Sequence, residues 1–79
     1  MLVRVKLYSY LQKYGPVGSD GQFFEVELPD RSTVADLVAV LQIRSYELSL
    51  AYVNDEARSE LFRLKPGDVV GLFPPMGGG

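Results

Sequence analysis

The residues best suited to chemistry lie at the C-terminus, where Gly77-Gly78-Gly79 follows Pro74-Pro75 and Met76. Glycine has no Cβ, so such a run can thread a narrow channel, take either sign of φ, and leave its carbonyl carbon open to attack. The chemistry this suits is activation of the Gly79 carboxylate in another protein's active site, with Gly78 beside the reacting carbonyl. Pro74-Pro75 stiffens the tail's departure. From Pro75 to Gly79 an extended chain reaches at most ~18 Å, enough to enter a cleft. Glycine-rich ends also occur simply because nothing packs on them. Here the glycines follow a strand and a diproline on a chain otherwise poor in reactive groups, which favours a working tail.

The poverty is easily shown. There is no cysteine, hence no disulfide framework and no thiolate chemistry. There is no histidine, which removes the commonest general base and the commonest metal ligand. No Ser, Thr or Lys has a base beside it to make it a nucleophile, and no metal site is expected. Asp55, Glu56 and Glu60 form the nearest acidic cluster, but in a turn and its flank, where a solvated surface is the expectation. The loop from Gly15 to Gly21 lacks the Lys-Ser/Thr pair of a phosphate-binding loop and the helix that would follow it. Tyr8, Tyr10 and Tyr14 lie near Arg4, Lys6 and Lys13, which suggests a stacking platform for single-stranded nucleic acid. A net charge of −2 and a pI of about 4.9 argue against that. Those tyrosines fit partial core plus a partner surface better. The chain is expected not to be an enzyme on its own.

The elements that must position the tail follow from periodicity. Seventy-nine residues make one domain, which at this size buries roughly 60% of its unfolded surface. With 47% hydrophobic and 23% charged residues, a folded globular domain is expected rather than a disordered tail. Val3, Val5 and Leu7 alternate with Arg4, Lys6 and Tyr8, a strand with one face in a core. That opening has no continuous apolar run, so neither a signal peptide nor a membrane span is expected, and a cytoplasmic location follows. Ser9 to Tyr14 predicts a short helix stopped by Gly15-Pro16. Phe23 to Leu28 predicts a second strand with Phe24, Val26 and Leu28 on one side.

Thr33 and Asp36 have the spacing of a capping box. Behind them Val34, Leu37, Val38 and Leu41 form one helical stripe. Leu50 to Val53 predicts a third strand, Asn54-Asp55-Glu56 a tight turn, and Ala57-Arg58 a short return. Lys65-Pro66-Gly67-Asp68 is a turn, after which Val69 to Phe73 is the last strand, stopped by Pro74-Pro75. The expected class is α+β, one amphipathic helix across one face of a small mixed sheet. In the last strand Val70 and Leu72 should face the helix, turning Val69 and an exposed Phe73 outward. Tyr8 lies on the same outward face. The domain is expected to run over 1–75, with 76–79 as a flexible tail.

Pro66-Gly67-Asp68-Val69-Val70, then Leu72-Phe73-Pro74-Pro75, then Gly78-Gly79 resemble the MoaD/ThiS family of sulfur carriers. Val53-Asn54 and the strand-helix opening from Val5 to Gly15 are similar too. The Phe-Pro-Pro step resembles the small subunit of molybdopterin synthase more than the carriers of thiazole synthesis. Two features depart from the pattern: Gly77 stands where Ala or Ser is usual, and the stretch between the main helix and Tyr52 is short, so a second helix is expected to be lost. The resemblance implies a ubiquitin-like β-grasp fold. It also implies that an E1-like adenylating enzyme uses ATP on Gly79, that a sulfurtransferase or other donor supplies persulfide sulfur, and that the resulting thiocarboxylate serves a large synthase subunit. No cofactor would be stably bound, and neither nucleic acid nor membrane would be a partner. Phe73, Pro74, Pro75, Met76, Gly77, Tyr8 and Val69 would form the partner-binding surface. Three alternatives remain: a carrier feeding thiamine, amino-acid or tRNA thiolation, a ubiquitin-like modifier joined to lysines, and a purely non-covalent interaction domain.

Overall fold

The computed structural model describes residues 1–75. Five strands, β1 (Leu2–Leu7), β2 (Phe24–Glu27), β3 (Leu50–Val53), β4 (Glu56–Arg58) and β5 (Val69–Phe73), form one sheet in the order β2-β1-β5-β3-β4. β1 and β5 run parallel at its centre, and the other neighbouring pairs are antiparallel. One helix, α1 (Val34–Val40), lies on one face of the sheet. This is the α+β, β-grasp architecture.

Alternation decides which side of each strand enters the core. Val3, Val5 and Leu7 of β1, Val70 and Leu72 of β5, and Ala51 and Val53 of β3 are buried on one face. From α1 they meet Val34, Leu37 and Val38, with Leu41 partly buried against the cluster. Each fully buried valine or leucine side chain contributes about 1.5–3 kcal/mol. The helix begins where the sequence predicts. Asp36 N–H donates to Thr33 Oγ1 at 3.2 Å and Thr33 N–H to Asp36 Oδ2 at 2.9 Å, a reciprocal cap on a helix of only 7 residues.

Asn54 and Asp68 have structural duties that their spacing alone did not reveal. Asn54, at φ 51°, donates through Nδ2 to Asp68 Oδ1 at 3.0 Å and accepts from Val69 N–H at 2.9 Å. Asp68, buried, also accepts from Lys65 N–H at 2.8 Å through Oδ2. The β3–β4 turn and the turn before β5 are thereby locked together, which fixes where the last strand starts. Gly67, at φ +85°, takes the left-handed position that the second turn needs.

Two predicted details change. Ser9–Tyr14 is a 3₁₀ helix rather than an α-helix. Six residues are too few to offset helix nucleation, and the segment buries only Leu11. The second strand is shorter than expected at both ends, which leaves Phe23 outside it. Between α1 and β3 a single 3₁₀ turn, Ser45–Glu47, fills the short connection.

These two 3₁₀ turns are tied to each other. Tyr14 Oη donates to Glu47 Oε1, and Lys13 Nζ lies 3.4 Å from Glu47 Oε2. The Tyr14 hydrogen bond, helped by Lys13, holds the Glu47 carboxyl below the ordinary glutamate range against the opposing effect of burial. The same bond, with burial and the nearby carboxylate, pushes the Tyr14 phenol up. A depressed carboxyl stabilises the fold above the unfolded value of about 4.3 and loses that contribution as pH falls through its folded value. Glu47→Gln should therefore melt below wild type at neutral pH, with the gap closing as pH is lowered towards about 2 in paired scanning calorimetry runs. A gap independent of pH would show that the carboxylate charge carries none of the contact.

Candidate functional site

The parallel β1–β5 pair sets the geometry of the tail's exit. Leu7 lies opposite Leu72, and Tyr8 N–H extends the ladder to the Leu72 carbonyl at 3.1 Å. Tyr8, from the start of the chain, therefore stands beside Phe73 at its end. Their rings stack with centroids 4.0 Å apart and planes at 11°. On the other flank Tyr52 meets Phe73 edge-on, at 5.6 Å and 79°. Ser49 N–H also donates to the Phe73 carbonyl at 2.9 Å, so the last residue of β5 is held on both sides.

Phe73 thus points outward, away from α1, but is not freely exposed as the alternation suggested. Two tyrosines of its own domain cover part of it, because a lone phenylalanine on a wet sheet face gains from such neighbours. Val69 and Tyr8 share the outer face and are half-buried. The two prolines divide. Pro74 is fully buried and Pro75 is exposed, so a partner surface including Pro74 is corrected: Pro74 packs into its own domain and offers no open surface. Met76, Gly77, Gly78 and Gly79 lie outside the described residues.

The outer face is larger than the tail-proximal trio. Phe23, 42% exposed, and Tyr52, 36% exposed, belong to it. Arg4 Cζ sits 4.8 Å from the Phe23 ring centroid, while Lys6 Nζ lies 5.1 Å from Tyr8 and 5.5 Å from Phe23. Lys6, Tyr8, Phe23, Tyr52 and Phe73 line an open hollow of about 230 Å³, together with Asp55, Val69 and Gly71. A Cβ at Gly71 would lie 3.2 Å from Tyr8 Cε2, so it is the bare glycine that lets the Tyr8 ring settle over β5. The outward positions of β3 and a glycine in the last strand were the available signals for Tyr52 and the hollow. Phe23 gave none, since its place depends on where β2 begins.

Among the described residues no group of three or more acidic side chains is arranged to hold a metal ion. Nor is any helix among them long and apolar enough to cross a membrane. The arrangement is an aromatic, partly cationic face at the end of β5, on the side of the sheet away from α1.

Known structures share this fold. A putative molybdopterin converting factor subunit 1 from Pyrococcus furiosus is 27% identical, with a TM-score of 0.73 over 96% of this chain and 99% of that one. A complex of subunits 1 and 2 of molybdopterin-converting factor from Helicobacter pylori gives 27% identity and a TM-score of 0.61 over 100% of both chains. SAMP1 from Haloferax volcanii, 22% identical with a TM-score of 0.71 over 100% of both chains, shares the fold. Comparison with curated protein sequences gives no match. The ThiS family model matches residues 19–79, from the loop before β2 through β5 to the glycines, and the chain belongs to the ThiS family.

Proposed function

We propose that this protein is a sulfur carrier for molybdopterin synthesis, working through the carboxylate of Gly79. The observation that carries the proposal is full-length likeness to molybdopterin converting factor subunit 1, combined with a central last strand that delivers the chain to Pro75 and the glycines. An E1-like partner would join the Gly79 carboxylate to AMP, releasing pyrophosphate from ATP. A donor persulfide then attacks the acyl carbon and AMP leaves. A second thiol cleaves the acyl persulfide, forming a disulfide and leaving the thiocarboxylate. That sulfur goes to a substrate held by a large synthase subunit, the counterpart of subunit 2 in the Helicobacter pylori complex. The chain itself supplies the tail, its direction and the docking face, and the reacting side chains are the partners'. We place this work in the cytoplasm, with ATP consumed by the activating partner and no cofactor held by the carrier.

The test is the intact mass of protein co-expressed with its activating enzyme and a sulfur donor. A fraction should be heavier by the exchange of one oxygen for sulfur, localised to the C-terminal peptide. Carboxylate mass alone under those conditions would overturn the carrier chemistry. Isopeptide adducts to lysines would select a protein modifier instead.

A further inference from the structure

Two short arms hold the end of β5, and the far ends of the arms meet. Successive carbonyls of the strand point to opposite neighbours. Leu72 accepts from Tyr8 N–H at 3.1 Å, and Phe73 from Ser49 N–H at 2.9 Å. Tyr8 leads directly into the first 3₁₀ turn, Ser9–Tyr14, and Ser49 follows two residues after the second, Ser45–Glu47. Because β1 is parallel to β5 and β3 antiparallel to it, both turns stand where β5 stops. There Tyr14 Oη donates to Glu47 Oε1, and Lys13 Nζ lies 3.4 Å from Oε2. A closed ring thus runs from Leu72 through Tyr8, Tyr14, Glu47 and Ser49 back to Phe73. Glu47 is its unusual member, a carboxylate only 8% exposed on a three-residue turn. An apolar contact would join two turns at least as stably. What a hydrogen bond to a carboxylate adds is a fixed distance and angle. Asp68, also buried, makes a similar clasp with Asn54 where β5 starts.

We propose that the Tyr14–Glu47 clasp aims the tail, by fixing the direction in which β5 delivers the chain to Pro74 and Pro75. It rests on the sulfur-carrier reading, to which it adds two positioning residues. Tyr14 and Glu47 act through the backbone of Leu72 and Phe73, not on the reacting carbonyl. With the clasp broken, each arm still holds its own carbonyl, but the arms are free to move independently. The error then grows with distance. Over an extended reach of ~18 Å, a swing of roughly 5° displaces the far end by about 1.5 Å, more than a reacting centre tolerates.

The test is the rate of thiocarboxylate formation on the full chain, with its activating enzyme, ATP and a sulfur donor, resolved into kcat and KM for the carrier. Tyr14→Phe and Glu47→Ala should each lower kcat roughly tenfold and leave KM nearly unchanged. Combining them should do no further harm, since both break one contact. Glu47→Gln keeps an acceptor for Tyr14 Oη and should recover most of the rate, although it melts below wild type. Val38→Ala, in the core beneath α1, should lower the melting temperature while leaving kcat alone. In the free protein, amide hydrogen exchange should quicken at Tyr8 and Ser49 in the clasp variants and stay slow in the rest of the β1–β5 ladder. Wild-type kcat in Tyr14→Phe, or a kcat that simply follows melting temperature across the variants, would overturn the proposal. So would unchanged exchange at both amides. Exchange is read without sulfur chemistry, so a wild-type chain that never loads sulfur removes the carrier reading, while the exchange data still decide whether the clasp holds the end of β5.

Discussion

Deleting Gly79 should abolish sulfur transfer while leaving thermal stability nearly unchanged. Stability is spared because glycine has no apolar side chain to bury, so its removal takes nothing from the core described above. Activity is lost for a geometric reason. One residue fewer shortens the reach by about 3.5 Å, and a misplacement of even ~1 Å at a reacting centre costs on the order of a hundredfold. With β5 clamped between β1 and β3 and Pro74 buried, the domain has no slack to give back. Adding one alanine after Gly79 should do equal harm, since the activated carbonyl then sits at the wrong depth beside a Cβ. Gly77→Ala should be mild, whereas Gly78→Val should obstruct the channel. Reconstituted transfer assays with matched melting curves decide the matter. A shortened chain that transfers sulfur at the wild-type rate would mean that Gly79 is not the working group.

Most of the fold was legible because each strand carries its own period. Val3, Val5 and Leu7 alternate cleanly, and Val34, Leu37, Val38 and Leu41 fit no other element than a helix. Pairing was less legible. Nothing local in Leu2–Leu7 says that its neighbour is Val69–Phe73 rather than the next strand along, because β1–β5 contact is a property of the closed sheet. The candidate site inherits that limit. Phe73, Tyr8 and Val69 could be placed on one face by alternation alone, but the Tyr8–Phe73–Tyr52 cluster needs three strands in register. Pro74 misled because a proline after a strand usually marks solvent, and here it turns inward. Asn54 and Asp68 were noticed as motif residues, yet their work as a clasp appears only when two turns distant in sequence meet.

Phe73→Ala should weaken partner binding by about 1–3 kcal/mol, the range typical of an aromatic anchor. The structure divides that effect into two parts that can be measured separately. Within the free domain, the mutation removes a stacked and an edge-on ring contact, worth about 0.5–1.5 kcal/mol beyond area. It also releases Tyr8, which no longer has Phe73 to pack on above Gly71, so the outer face loses its shape as well as a ring. Both consequences are confined to the outer face. Leu72 and Val70, on the opposite side of β5, keep their place in the core. Denaturant unfolding should therefore show a modest stability loss and an unchanged m-value, while calorimetric titration shows the larger loss of affinity. Phe73→Leu separates area from stacking. It retains most of the apolar surface and should recover part of the affinity if the partner reads a hydrophobic anchor, and little if it reads the ordered ring stack. Unchanged affinity in folded Phe73→Ala would remove this face from the docking surface and leave the exposed Pro75 and the tail as the partner's only hold.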